Sequence, residues 1–213
     1  MIAYIPRLGR LAAALAVTLS LAGCGVNTIP TKQEVAKEKW ADVQNQYQRR
    51  SDLIPNLVAT VQGYAAQEKS VLVEVTQARA QATHISVDAS TITDPAKFQA
   101  YQQSQDKLSG VLGRLMSVQE RYPDLKSNTN FLALQSQLEG TENRIAIARS
   151  DYNNAVKDYN TELRTFPGVI WAGTLYRAEK PMQQFQASTE AQTAPKVSFA
   201  PPAPAVPAPS SNP

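Results

Sequence analysis

The feature that most constrains this chain is a hydrophobic stripe that steps by three and four residues without a slip. It reads Trp40, Val43, Tyr47, Arg50, Ile54, Leu57, Val61, Tyr64, Glu68, Val71, Val75, Ala78, Ala82, Ile85. A second runs Phe98, Tyr101, Gln105, Leu108, Leu112, Leu115, Gln119, Tyr122, and a third Phe131, Leu134, Leu138, Thr141, Ile145, Ala148, Tyr152, Ala155, Tyr159. A step of three or four keeps side chains on one face of a helix, whereas strands alternate every two. Each face must be covered by another, so the pattern specifies an all-α antiparallel helical bundle.

Asp94-Pro95 reads as an N-cap followed by proline in the first turn. Pro123-Asp124 and Ser127-Asn128-Thr129-Asn130 read as a loop and the next helix start. Residues 31–87 as one helix would measure about 85 Å, far longer than the partner segments, so a break is expected. Pro55 should kink the first helix, because it lacks an N–H and crowds the preceding turn; Gly63 is the other candidate. Four helices are therefore expected, the first long and kinked near Pro55.

Two stripe positions are polar. Arg50 and Glu68 are expected to pair across helices or reach the bundle edge; the competing reading is a buried ligand site. Arg49 and Asp52, three apart, suit a same-face ion pair. With Arg50 they form the sharpest polar cluster, read first as a pair that helps hold the Pro55 kink and alternatively as a patch for an acidic or phosphate-bearing partner. His84 is the only histidine. No histidine triad or His-x-x-x-His pair for a metal can form within one chain, and neither a nucleophile elbow nor a phosphate loop occurs. Neither a catalytic residue, a metal nor a cofactor is expected, and His84 is read as a helix-end residue favourable to the dipole.

The N-terminus carries an address. Arg7 and Arg10 precede the uncharged run from Leu11 to Leu19, which closes on Leu21-Ala22-Gly23-Cys24. That order is a signal peptide with a lipobox, making Cys24 the site of acylation. The run is too short to span a bilayer, which takes about 20 apolar residues, whereas several acyl chains anchor durably. Without Arg7 and Arg10, the 21 basic residues fall to 19 against 18 acidic ones. The mature chain is nearly neutral, so nucleic acid is not an expected partner. Cys24 is also the sole cysteine, so its acylation removes disulfides and thiol chemistry. No aspartate follows Cys24, which favours an outer-membrane anchor with the bundle in the periplasm. The expected organisation is a signal peptide at 1–23, a lipidated linker at 24–30, a bundle with an apolar C-terminal segment at 31–187, and a tail at 188–213. That tail holds seven prolines and few charges, a composition that cannot bury a core.

Arg49-Arg50-Ser51-Asp52-Leu53-Ile54-Pro55-Asn56-Leu57, followed by Val61-Gln62-Gly63-Tyr64-Ala65, resembles the signature of the LemA family. The resemblance continues through Ala78-Arg79-Ala80, Glu142-Asn143-Arg144-Ile145, Asp151-Tyr152-Asn153, Tyr159-Asn160 and Phe166-Pro167, covering about residues 30–170. It implies a helical bundle tethered to a membrane at its N-terminus. It lends no agreed activity. Family members are often encoded beside membrane proteins, which implies an assembly role. After the Phe166-Pro167 turn this sequence is expected to depart from the family.

Between Phe166 and Tyr176, the apolar residues Val169, Ile170, Trp171, Leu175 and Tyr176 suggest a lid over one end of the core. Alternatively they touch a membrane interface, with Trp171 and Tyr176 as contact residues. Four helices would return this segment to the Cys24 end; three would place it opposite. The function expected is a non-enzymatic, membrane-anchored scaffold or adaptor for membrane-associated proteins, of undetermined oligomeric state. The alternative is a module binding a lipid or small apolar ligand between its helices.

Overall fold

The computed structural model describes residues 25–88 and 90–186. Cys24, the signal peptide and the residues from 187 onward lie outside the described residues. Those described form helices and connecting segments, with no strand. The first helix, α1 (Thr28–Tyr64), has 37 residues and measures about 55 Å. It is followed by α2 (Lys69–His84) and α3 (Pro95–Ser117), then a 3-10 turn at Val118–Arg121 and the short α4 (Pro123–Lys126). The second long helix, α5 (Thr129–Glu162), has 34 residues, and α6 (Gly168–Thr174) closes the series.

The chain reverses where the composition permits it. α1 continues helically through Pro55 and ends at Tyr64, just past Gly63. The reversal takes only Ala65 to Glu68, closed by Ala65 N–H to Val61 O and Glu68 N–H to Ala65 O, at 2.7 and 3.0 Å. The tight turn explains why the stripe crosses it almost in register, with Leu72 buried in place of Val71. Asp94 caps α3 by accepting from the N–H groups of Ala96 and Lys97, with Pro95 in the first turn. Asn128 caps α5 by accepting from Phe131 N–H at 2.9 Å. At the end of α3, the 3-10 turn shifts the helical phase, so Val118 is buried rather than Gln119.

α1, α2, α3 and α5 run up, down, up and down, with α1 and α5 the most extensively packed pair. α2 and α3 measure only about 24 and 35 Å, so they flank only part of that pair. The core accordingly falls into two clusters. The apical cluster, far from Gly25, is mainly aliphatic: Ile54, Leu57, Val61, Val75, Leu108, Leu112, Leu115 and their neighbours. The basal cluster is rich in aromatics, with Trp40, Tyr47, Phe98, Tyr101, Tyr152, Tyr159 and Phe185. Trp40 lies 5.3 to 5.9 Å, ring centre to ring centre, from Phe98, Tyr101, Tyr152 and Phe185, within the range where such pairs stabilise. Below α2 and α3, the loop bearing Ile92 and a C-terminal strap at 175–186 cover the α1–α5 pair.

Both long helices terminate at the basal end. Lys32 Nζ pairs with Glu162 at 2.7 Å. A Cβ on Gly25 would sit 3.3 Å from Pro167 Cγ, and the Gly25 φ of +110° favours glycine. A Cβ on Gly168 would fall 2.1 Å from Glu162 O, so only glycine lets α6 fold back this closely. Among the described residues, no helix is long and apolar enough to cross a membrane.

Candidate functional site

Between the two core clusters lies a polar layer containing Arg50, Ser51, Gln105 and Thr141, all buried. Arg50 is its hub and is 1% exposed. From α1, its Nη2 donates to Gln105 Oε1 at 2.6 Å and to the Gln105 carbonyl at 3.3 Å, both on α3. Its Nη1 donates to Ser109 Oγ and to Glu142 Oε1 on α5 at 3.1 Å. The guanidinium also lies 5.0 Å from the ring centre of Tyr47, a cation–π geometry. Gln105 Nε2 in turn donates to Ala82 O near the end of α2 at 3.2 Å. One connected set therefore joins all four helices. A planar fork of five donors suits such a junction, and lysine could not replace it.

Pro55 adds a second tie to the same layer. Its missing N–H frees the carbonyl four residues earlier, on Ser51. Arg79 Nε, from α2, donates to that carbonyl at 2.9 Å. Tyr47 Oη, Arg50 Nε and Ser51 Oγ are buried without a partner among the described residues. Burial pushes the Tyr47 hydroxyl up to about 12, despite the nearby Arg149 and Arg50 charges. The chemistry available here is hydrogen bonding and charge pairing. Among the described residues, no cluster of histidine, cysteine, aspartate and glutamate is arranged to hold a metal.

The stretches of sequence meeting here are Arg50-Ser51-Asp52-Leu53-Ile54-Pro55, the segment around Arg79, and the segment opening at Glu142. They are widely separated in the chain and joined by three helices' contacts at one level. The LemA family profile matches residues 39–199. The chain belongs to the LemA family. The magnetosome protein MamQ 2 of Paramagnetospirillum magneticum is 27% identical over 157 residues, covering 66% of this chain and 58% of that protein. MamQ of Magnetospirillum gryphiswaldense is 24% identical over the same shares. Protein LemA of Metamycoplasma hominis is 25% identical over 124 residues, 58% of this chain and 52% of that protein. The chain thus spans a little over half the length of these relatives. The family match reaches residue 199 and so takes in Tyr176–Pro181, where departure from the family was expected.

The candidate contact residues separate in space. Arg50 faces the interior and cannot share a surface patch with Arg49 and Asp52, which are exposed. Asp52 accepts from Gln48 Nε2 at 2.7 Å, the residue one turn earlier, in place of the expected Arg49 pair. Glu68 leaves the core at the apical turn, where it accepts from Tyr122 Oη at 3.1 Å and pairs with Arg121 at 2.9 Å. His84 is the exposed last residue of α2. Trp171 and Tyr176 pack partly against the basal core, and the Trp171 indole nitrogen is buried. They form the inner face of the α6 lid. Cys24 lies outside the described residues, covalently next to Gly25.

The sequence pattern missed the strap. Asn160 accepts from Met182 N–H at 2.9 Å and donates to Met182 O at 2.8 Å. Asn153 does the same for Phe185, both at 2.9 Å, and Gln102 for Gln186, at 2.8 and 3.3 Å. Tyr152 Oη donates to Gln183 O, and Gln183 N–H donates to Ile92 O. Two turns of helix rise about 10.5 Å, close to three residues of extended chain, so asparagines seven apart meet backbone three apart. The side-chain amides thereby satisfy a backbone that has neither helix nor sheet to pair with.

Proposed function

We propose that this LemA protein is an envelope lipoprotein, acylated at Cys24, whose bundle is a non-enzymatic scaffold or adaptor for membrane-associated proteins. The observation that carries the reading is the meeting of Gly25, Glu162 and Pro167 at one end of the bundle. A chain anchored one residue before Gly25 would hold that end at the bilayer. The apical turn would then project by about the 55 Å length of α1. The rim of such a rod offers binding faces, and Arg49 with Asp52 is one candidate. Two of the relatives are named magnetosome proteins. The outer membrane is the preferred location, from the residues after Cys24. The apolar-ligand alternative draws less from the geometry, because the cleft beside the strap is walled by glutamines, Asp106 and Arg149.

The test is capture with photo-crosslinkers at Arg49, Asp52, Val73 and Leu132, in cells carrying the wild-type chain or Cys24→Ser. Defined membrane-associated proteins should be captured by the wild type, while Cys24→Ser leaves the membrane fraction. A processed Cys24→Ser that stays membrane-bound would overturn the anchor. A correctly anchored wild type that captures no reproducible partner would overturn the scaffold.

A further inference from the structure

The outer face of the basal lid is apolar and uncovered. Phe166 is 81% exposed and Leu175 65%, with Val169 and Ile170 about half exposed. Large apolar side chains scattered singly need no explanation, but a contiguous group marks a contact surface. These four fall within ten residues of chain, on the turn and helix whose opposite face, Gly168, Trp171 and Tyr176, packs inward. Packing fixes the outward direction, so the lid cannot turn its apolar face into the core.

Three observations identify what covers it. First, this face is at the end where Gly25 abuts Pro167, and Gly25 follows the lipobox cysteine. Secondly, the exposed charges in the segment 163–178 are Arg164 and Arg177, both cationic. The adjoining carboxylates are engaged, Glu162 with Lys32 and Glu179 with Tyr159 Oη and Gln33. A surface of bulky apolar groups rimmed by arginine complements an anionic bilayer interface. Thirdly, the lid helix has only seven residues, about 10 Å of rise against a hydrocarbon core of about 30 Å, so its apolar face suits the headgroup layer and not a span.

We propose that Phe166, Val169, Ile170 and Leu175 form a membrane-seating face that enters the headgroup and upper acyl region, standing the bundle upright on the bilayer. The inference rests on acylation of Cys24. Acyl chains on Cys24 alone attach the bundle at one point, next to Gly25, and leave its tilt unfixed. A second contact on the lid turns the tether into a base and directs the apical end away from the membrane.

The test uses the full-length mature lipoprotein in vesicles of phosphatidylethanolamine and phosphatidylglycerol, three to one. Acylation occupies the native thiol, so Ile170→Cys carries a single fluorescent label, with Ile147→Cys on the exposed side of α5 as reference. Flotation with the vesicles is measured on the same samples. The expected result is several-fold stronger quenching of the position-170 label by nitroxide lipids than by aqueous iodide, and the reverse at position 147. Adding Phe166→Asp and Leu175→Asp, both at exposed positions, should make position 170 as iodide-accessible as 147 without loss of flotation. A protein that floats while its position-170 label is already as aqueous as 147 overturns the seating face and leaves the anchor standing. Failure to float overturns both. Shielding of position 170 without vesicles, growing with protein concentration, would assign the face to a second copy of the chain and overturn the lipid assignment.

Discussion

The apical and basal halves of this bundle bury their cores by different means. In the apical half, four helices surround a core of Leu, Val and Ile, and backbone hydrogen bonding is completed within each helix. In the basal half, two long helices lack full-length partners. Large aromatic side chains fill the width, and Asn153, Asn160 and Gln102 supply bonds to a strap that has no secondary structure of its own. The same α1 and α5 serve both halves. The difference therefore arises from what is laid against them, and the Arg50 layer is where one regime passes into the other.

Arg50→Ala should have the largest effect. It leaves Gln105 and Ser109 without their donor, unpairs Glu142 and opens a cavity, at a cost of about 3–5 kcal/mol. Chemical denaturation should show both halves losing stability together, and Arg50→Lys should recover little of it. If Arg50→Ala weakened only one half, the layer would not be a junction.

Alkaline pH should separate the halves next. Burial raises the hydroxyls of Tyr101 and Tyr152, and that of Tyr159 with help from Glu179; Tyr47 is raised to about 12. All four belong to the basal core. A group with a raised folded pKa contributes its stability below the unfolded value, about 10 for tyrosine. That stability is lost as pH climbs through the folded value. Between pH 10 and 12, Trp40 fluorescence should report basal loosening while apical helicity persists. A single transition seen equally by both probes would break the distinction.

Asn153→Ala and Asn160→Ala should cost less, about 1–2 kcal/mol each, because every one removes a donor and an acceptor from strap backbone. Their effect should be confined to the basal half. Measured by urea denaturation, Asn160→Asp should fall between wild type and alanine, since it keeps the acceptor for Met182 N–H but loses the donor.

The apical half was largely legible in the sequence. The 3–4 stripe marks Ile54, Leu57, Val61, Leu108, Leu112 and Leu138, and Asp94-Pro95 announces a cap that forms as expected. The location of the first turn was less so. Proline is the stronger helix breaker in principle, but Pro55 costs little where Arg79 takes up the freed Ser51 carbonyl. The helix instead ends at Tyr64, just past Gly63. Arg50 was legible as an anomaly in the stripe and as a cross-helix pair, while its grouping with Arg49 and Asp52 was a matter of adjacency, not of face. Least legible was the strap. Its contacts join residues over twenty positions apart through asparagine amides, and no periodicity encodes such a match. The bracketing signal was present all the same: Asn153 and Asn160 lie seven apart on the half-buried edge of the third stripe. The apolar lid was visible as composition, but Trp171 and Tyr176, its most conspicuous residues, face inward, and less conspicuous neighbours form the outer surface.

Hydrogen exchange of wild type and Phe185→Ala tests the two-regime account most directly. Phe185 anchors the strap among Trp40, Phe98 and Tyr152, and its loss should cost about 3 kcal/mol. Protection should fall along the basal stretches of α1 and α5, from Ile29 to Tyr47 and from Ile145 to Leu163. It should be retained from Ile54 to Val61 and from Leu108 to Leu138. A uniform fall across both halves, or unchanged protection in the basal stretches, would contradict the division of the bundle at Arg50.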